Sequence, residues 1–336
     1  MTAETAGSPG KPGTRDAPSA GGERVALATL QELRRALALV AASDEARGLR
    51  AAPAPGVEIE SPLAEWLYAN WWAAAPADAP VAEARPLTAA DAFPRVGLLD
   101  AARRRAAGAS PDWIVLAVAG DTVTVVAARP PASAPRGHRR VDVRRVVGSS
   151  RPGRPPAPGD LVSISRGASG WDRDTGWWWA HSGDTVPDGA LDRWYVHARS
   201  PEDSAALLAP LMSAFDEAGS AFSLKCLPSA AGYGRPDAFV VYTPRVVRGR
   251  LATGLRRRAR EIAPRVAASV PPTTRRIVPG IGMSEDPSDG TSFGQLRTAQ
   301  VAAIAVATMT DAATPALRVA AGAAGIDLAQ PWRAAP

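Results

Sequence analysis

Phe222-Ser223-Leu224-Lys225-Cys226-Leu227, the glycine-rich turn at 232–234 and Phe239-Val240-Val241-Tyr242 set the architecture of this chain. Both runs are short and bounded by turn formers, and the second is rich in β-branched and aromatic residues, which predicts two paired strands. In extended backbone successive side chains alternate, so Phe222, Leu224 and Cys226 share one face and Ser223, Lys225 and Leu227 the other. Lys225 therefore looks away from the more apolar side. Arg235 and Asp237 precede the second strand and Arg245 follows it, so the pairing gathers Lys225 and arginine on one sheet surface.

Upstream, Ser200-Pro201-Glu202-Asp203 supplies an N-cap, a first-turn proline and an acidic first turn for a helix running towards Gly219, with Pro210 placed to kink it. Residues 113–118, Gly120-Asp121 and residues 122–126 read as a β-hairpin. Leu161-Val162-Ser163-Ile164-Ser165 is a further strand, and Trp177-Trp178-Trp179 ends a short one. Leu30, Leu33, Leu37 and Val40 recur at helical steps within 25–46, Ser61-Pro62 opens a second helix, and a third piece lies at 100–107. Downstream, 279–287 reads as a backbone-rich loop, and Ser292 with Gln295 forms a capping box that opens a helix carrying Arg297, Val301 and Ile304. The predicted class is α+β. Residues 1–23 are expected to be a disordered leader, 24–110 helical, 111–190 β-rich with a mobile Pro- and Arg-rich loop at 129–159, and 191–336 an α+β catalytic region that can pack with the rest as one domain.

The net charge of +6 is unevenly spread. Between residues 245 and 276 ten arginines stand against one acid, Glu261. Such a cluster concentrates anions, whether nucleic acid, acidic peptide or phosphate ester. Aromatic residues are scarce in it and no nucleic-acid-binding motif accompanies it, so nucleic acid is not an expected partner. Cys226 is the only cysteine, which excludes internal disulfides and a cysteine-rich zinc site and fits a reducing compartment. A cytoplasmic location is expected. The N-terminus has no apolar stretch behind a basic start, and no apolar run approaches the roughly 20 residues that cross a bilayer, so no membrane partner is expected.

Among 39 basic residues only Lys11 and Lys225 are lysine, so 39 − 2 leaves 37 arginines. Arginine lacks an accessible neutral form, its pKa exceeding about 12, whereas a lysine shifted by burial or positive neighbours can act as a base. Lys225 is the first candidate for chemistry, and an ordinary strand lysine is the alternative. The helix opening at Ser292 offers free N–H groups to an anion, with Arg275 and Arg276 upstream and Arg297 one turn in. The lone Gly280-x-Gly282 pair neither follows a clear strand nor directly precedes a helix, which argues against a dinucleotide fingerprint. No His, Cys and Asp set stands at metal spacing, so neither a metal nor an organic cofactor is expected.

The ordered strings Arg193-Trp194-Tyr195-Val196-His197, Phe222 to Leu227, Gly234-Arg235-Pro236-Asp237-Ala238, Val241-Tyr242-Thr243-Pro244-Arg245, Pro279-Gly280-Ile281-Gly282, Glu285-Asp286-Pro287 and Gly290-Thr291-Ser292-Phe293-Gly294 through Arg297 resemble the HopA-type effector-like family over residues 190–312. Members of that family sit among plant-pathogen effectors and in gene clusters for modified peptides such as thioamitides and class V lanthipeptides. There they resemble lyases that work after a separate kinase has phosphorylated Ser or Thr. The resemblance implies β-elimination of phosphate from phosphothreonine or phosphoserine of a ribosomally made precursor peptide, giving dehydrobutyrine or dehydroalanine. The implied partners are the phosphorylated precursor peptide and a separate Ser/Thr peptide kinase, with room for a cyclase.

Such an elimination needs a base for the Cα proton, positive charge on the departing phosphate and an acid to protonate it. Lys225 is the implied base and His197, inside a family-like string, the implied acid. Arg235, Arg245, Arg275, Arg276 and Arg297, with Tyr242 and Ser292, are the candidate phosphate and substrate ligands, since guanidinium forks hold phosphate without a metal. Asp237, Glu285 and Asp286 would orient them. The rival is a noncatalytic effector-like or scaffold protein that binds an acidic protein or the kinase through its arginine surface. A phosphatase or phosphotransfer enzyme is disfavoured by the lack of a P-loop, a metal-binding carboxylate set and an activated cysteine.

Overall fold

In the computed structural model, which describes residues 20–50, 58, 61–74, 109–128, 138–143, 146–165, 169–172, 177–181, 190–219, 222–227, 232–287, 291–308 and 313–334, the alternating apolar runs form two antiparallel sheets flanked by helices. The class is α+β, as the sequence predicts. The helical piece expected at 100–107 and most of the expected leader lie outside the described residues.

The smaller sheet contains the expected hairpin of β1 (Ala109–Ala119) and β2 (Thr122–Ala127). It turns at Gly120, whose φ of 59° lies in the left-handed region that glycine enters without strain. β3 (His138–Asp142), β4 (Val146–Ser149) and β5 (Leu161–Ser165) complete the order β3-β2-β1-β5-β4 over a small core of Val115, Val123, Val125 and Val162. Part of the stretch read as a mobile loop is thus paired strand. Both of its strands, β3 and β4, lie at the sheet's edges.

The larger sheet is built from β6 (Ser169–Asp172), β7 (Trp177–His181), β8 (Leu191–Val196), β9 (Ser223–Cys226), β10 (Phe239–Pro244), β11 (Arg275–Val278) and β12 (Ile281–Glu285), in the order β11-β12-β8-β10-β9-β7-β6. The expected pairing of β9 with β10 is present, with Val240 opposite Lys225 and Tyr242 opposite Ser223. Residues 275–285 form a hairpin where the sequence suggests only a loop. Its turn passes so close to the chain at Ala267 that a Cβ on Gly280 would stand 2.4 Å from the Ala267 carbonyl oxygen.

Helix α1 (Ala20–Ala42) buries Leu30, Leu33 and Val40 and starts slightly inside the stretch expected to be disordered. It is followed by α2 (Asp44–Arg50) and by α3 (Pro62–Leu67), where the Ser61 hydroxyl accepts from the Ala64 N–H and the helix runs on into a π-helical turn at Tyr68–Trp72. The remaining helices are α4 (Pro201–Ala218), α5 (Arg248–Arg257), α6 (Ala259–Ile262), α7 (Phe293–Ala307) and α8 (Thr314–Ala323). Ser200 caps α4 and the Ser292/Gln295 capping box opens α7, both as the sequence predicts. Phe215 of α4 and Leu251 and Leu255 of α5 join Trp194, Leu224, Cys226 and Phe239 in the core on one face of the larger sheet. On the other face Tyr195 and Val240 join Trp72, Phe293 and the inner side of α1. Among the described residues no helix is long and apolar enough to cross a membrane.

Candidate active site

Directly opposed residues of an antiparallel sheet project to the same face. One row on the face covered by α1, α7 and the Trp72 turn is therefore Gly282, Tyr195, Val240, Lys225 and Trp179, and the next is Ser284, Arg193, Tyr242 and Ser223. Trp72 closes over the middle of this face, its ring centroid 6.1 Å from that of Tyr195 and 5.6 Å from that of Phe293. Two polar clusters are left at its margins.

In the first cluster the half-buried Lys225 places Nζ 4.6 Å from the Trp177 ring centroid and 5.9 Å from that of Tyr242, with no hydrogen-bond or ion-pair partner among the described residues. The guanidinium carbon of Arg193 lies 5.1 Å from the same Tyr242 ring. Arg193 is buried, and its Nε donates to the Asp286 carboxylate while Nη2 donates to the Thr291 carbonyl at 2.7 Å. Burial works against its charge, but Tyr242, Tyr195 and Asp286 outweigh that effect and hold its pKa above the ordinary value. Thr291 leads directly into the Ser292 cap of α7, so Arg193 ties the cluster to the start of that helix. The Ser292 side chain itself is occupied in the capping box.

The second cluster centres on Asp237, which is buried. Arg235 clamps it with two parallel bonds of 2.9 and 3.0 Å, and the Tyr68 hydroxyl donates to it at 2.8 Å. Burial, and then Asp237, push the Tyr68 pKa up, so its proton stays in place. His197 is only 2% exposed, with Nδ1 2.9 Å from the Ser269 hydroxyl oxygen. Burial lowers its pKa, while hydrogen bonds to the Ser269 and Gly234 main chain and the charge of Asp237 oppose that shift.

The other sequence candidates lie elsewhere. Arg245 reaches Asp192 and Glu285 at 3.7 and 3.4 Å on the opposite face of the sheet, in a cluster with Arg248 and Arg333. Arg275 is exposed over the Trp332 ring. Arg276 is exposed on β11, four strand spacings from β9 and so roughly 19 Å across the sheet from Lys225. Arg297 is wholly buried, donating to the Gln300 side chain at 2.7 Å and to the Pro331 and Arg333 carbonyls at 2.6 and 3.0 Å, and burial pushes its pKa down to about 10. These donors pin the C-terminal segment and are not directed at Lys225. Of the predicted set, the structure brings Lys225, Tyr242 and Asp286 together and adds Arg193 and Trp177, which residue type alone did not single out. Alternation back from His197 through Tyr195 would have placed Arg193 on the same face. Among the described residues no group of three or more His, Cys, Asp or Glu could hold a metal ion.

Residues 179–333 match the HopA1 effector protein family, the family that the ordered strings of the sequence resemble. Two solved structures are similar to the chain. An effector protein from Pseudomonas syringae pv. tomato strain DC3000 shares 12% identity with a TM-score of 0.47 over 92% of this chain and 98% of its own. An effector protein from Pseudomonas syringae pv. syringae strain 61 shares 14% identity with a TM-score of 0.45 over 94% and 99%. A comparison with curated proteins finds no match.

Proposed function

We propose that this protein is a cofactor-independent lyase that eliminates phosphate from phosphothreonine or phosphoserine of a precursor peptide phosphorylated by a separate kinase. The observation that carries this reading is Lys225: a half-buried lysine with no acidic partner among the described residues, set against Trp177 and Tyr242, with the buried Arg193 guanidinium against the same Tyr242 ring. A phosphate bound over the Tyr242 ring would stand beside Lys225 with the Arg193 charge close behind it, which is the arrangement elimination requires.

Lys225 Nζ takes the Cα proton, the released electron pair forms the Cα=Cβ bond, and the Cβ–O bond breaks. Phosphate monoesters have a second pKa of about 6, so the bound monoanion is accessible near neutrality. It leaves directly as hydrogen phosphate, which balances protons and charge without a separate acid. Arg193 stabilises the charge that builds on the leaving oxygen. His197, kept neutral by burial and held by Ser269, then serves as a positioning residue beside Arg235 and Asp237 and not as an imidazolium donor.

Intact-mass measurement on a phosphothreonine peptide tests this assignment. Elimination removes phosphoric acid and leaves an alkene, whereas a phosphatase removes only the phosphoryl group and restores the alcohol. An unchanged phosphopeptide, with and without the kinase present, would overturn the lyase assignment for that peptide.

A further inference from the structure

We propose that the outer edge of β11 docks an extended acidic segment of the peptide substrate, which adds as an eighth strand while its carboxylates meet the surrounding arginines. β11 ends the strand order of the larger sheet, and no described residue hydrogen-bonds to its outer edge. An edge strand offers a row of backbone donors and acceptors, and the flanking side chains select what pairs with them.

Here the selection is electrostatic. Arg275 and Arg276 are exposed on the strand, and α5, which packs against it, turns Arg250 and Arg256 to solvent. Arg245 and Arg248 are neutralised by Asp192 and Glu285, and Arg257 and Arg258 by Glu217, so six of the ten arginines in 245–276 form no ion pair with a described residue. Charged residues on a strand protect its edge from unwanted pairing, but here the unpaired arginines continue past the strand onto α5. A surplus spread over strand and helix selects an anionic strand rather than merely excluding strands.

The choice of the substrate's own chain as occupant rests on the lyase reading. The edge lies roughly 19 Å from Lys225, which an extended chain spans in about six residues, so the acidic stretch stands at least that far from the phosphorylated residue.

The test uses the full chain and an unphosphorylated fluorescent peptide with Glu at alternate positions in a Val/Thr background, followed by anisotropy. Binding should weaken at least tenfold in Arg275→Glu/Arg276→Glu and with a peptide N-methylated at alternate residues, and amide exchange at 275–278 should slow when the unmodified peptide binds. Circular dichroism of the double variant confirms that these surface changes leave the fold intact. Binding indifferent to both changes, or a single-stranded oligonucleotide of equal charge binding more tightly, would overturn the proposal. Failure of the lyase reading looks different, because the acidic peptide would still bind and protect the edge while phosphopeptides pass unchanged.

Discussion

Lys225 and Arg297 are both cations set beside aromatic rings, and their surroundings give them opposite uses. Arg297 spends its donors on Gln300 and two main-chain carbonyls, whereas Lys225 has no such partner among the described residues and is left available for chemistry. The scarcity of lysine made Lys225 legible in the sequence, but no residue count separates a structural arginine from a working one. Arg193 was hidden because its role depends on Asp286 and Thr291, far along the chain. Arg193→Ala should cost roughly 3 kcal/mol in urea unfolding by leaving the Asp286 carboxylate without its buried partner. Arg193→Lys should recover only part of that, since an ammonium cannot span Asp286 and Thr291 as a planar fork does. Wild-type stability in the alanine variant would remove Arg193 from the framework of the site. For His197, the folded-state pKa lies below the unfolded value of about 6.5, so the unfolded chain binds the extra proton first. Stability should therefore hold above about pH 6.5 and fall as pH drops through and below it. A melting temperature independent of pH between 7.5 and 5.5, or one equally dependent in His197→Gln, would refute that assignment.

Elements specified by local chemistry were legible: the Gly120 hairpin, the Ser200 cap and the Ser292/Gln295 capping box are each decided within a few residues. The β11/β12 hairpin was not. Arg275-Arg276-Ile277-Val278 lacks apolar–polar alternation, and its strand state comes from pairing with β12, which in turn pairs with β8. The π-helical turn at Tyr68–Trp72 likewise follows from tertiary fit. It packs so tightly on α7 that a Cβ on Gly294 would lie 2.5 Å from Trp72 Nε1 and 2.8 Å from Tyr68 Cε2. Gly294→Ala should lower stability by about 1–3 kcal/mol through overpacking. Because Tyr68 also bonds Asp237, the tyrosine's displacement should loosen the Arg235 clamp as well. A melting temperature equal to wild type would show that α7 and the turn separate more freely than their contact implies.

Across the whole molecule, the strand order departs from chain order, and this is what assembles the site. β7 inserts beside β9, setting Trp179 opposite Lys225 and Trp177 against its Nζ, although the sequence reading places a boundary between this strand and the α+β region at residue 190. The arginine-rich stretch that dominates the charge pattern lies mostly on α5, α6 and the β11 edge, while the arginine that shares the Tyr242 ring with the proposed base comes from β8. A linear charge cluster thus marks a surface, and strand register marks the site. The most direct test of Lys225 as base is single-turnover elimination from a phosphothreonine peptide by wild type, Lys225→Ala and Lys225→Arg, with equal melting temperatures confirmed beforehand. Both variants should lose elimination by about 100-fold or more, the arginine because its guanidinium has no accessible neutral form. Elimination at the wild-type rate by either variant would contradict the role of Lys225.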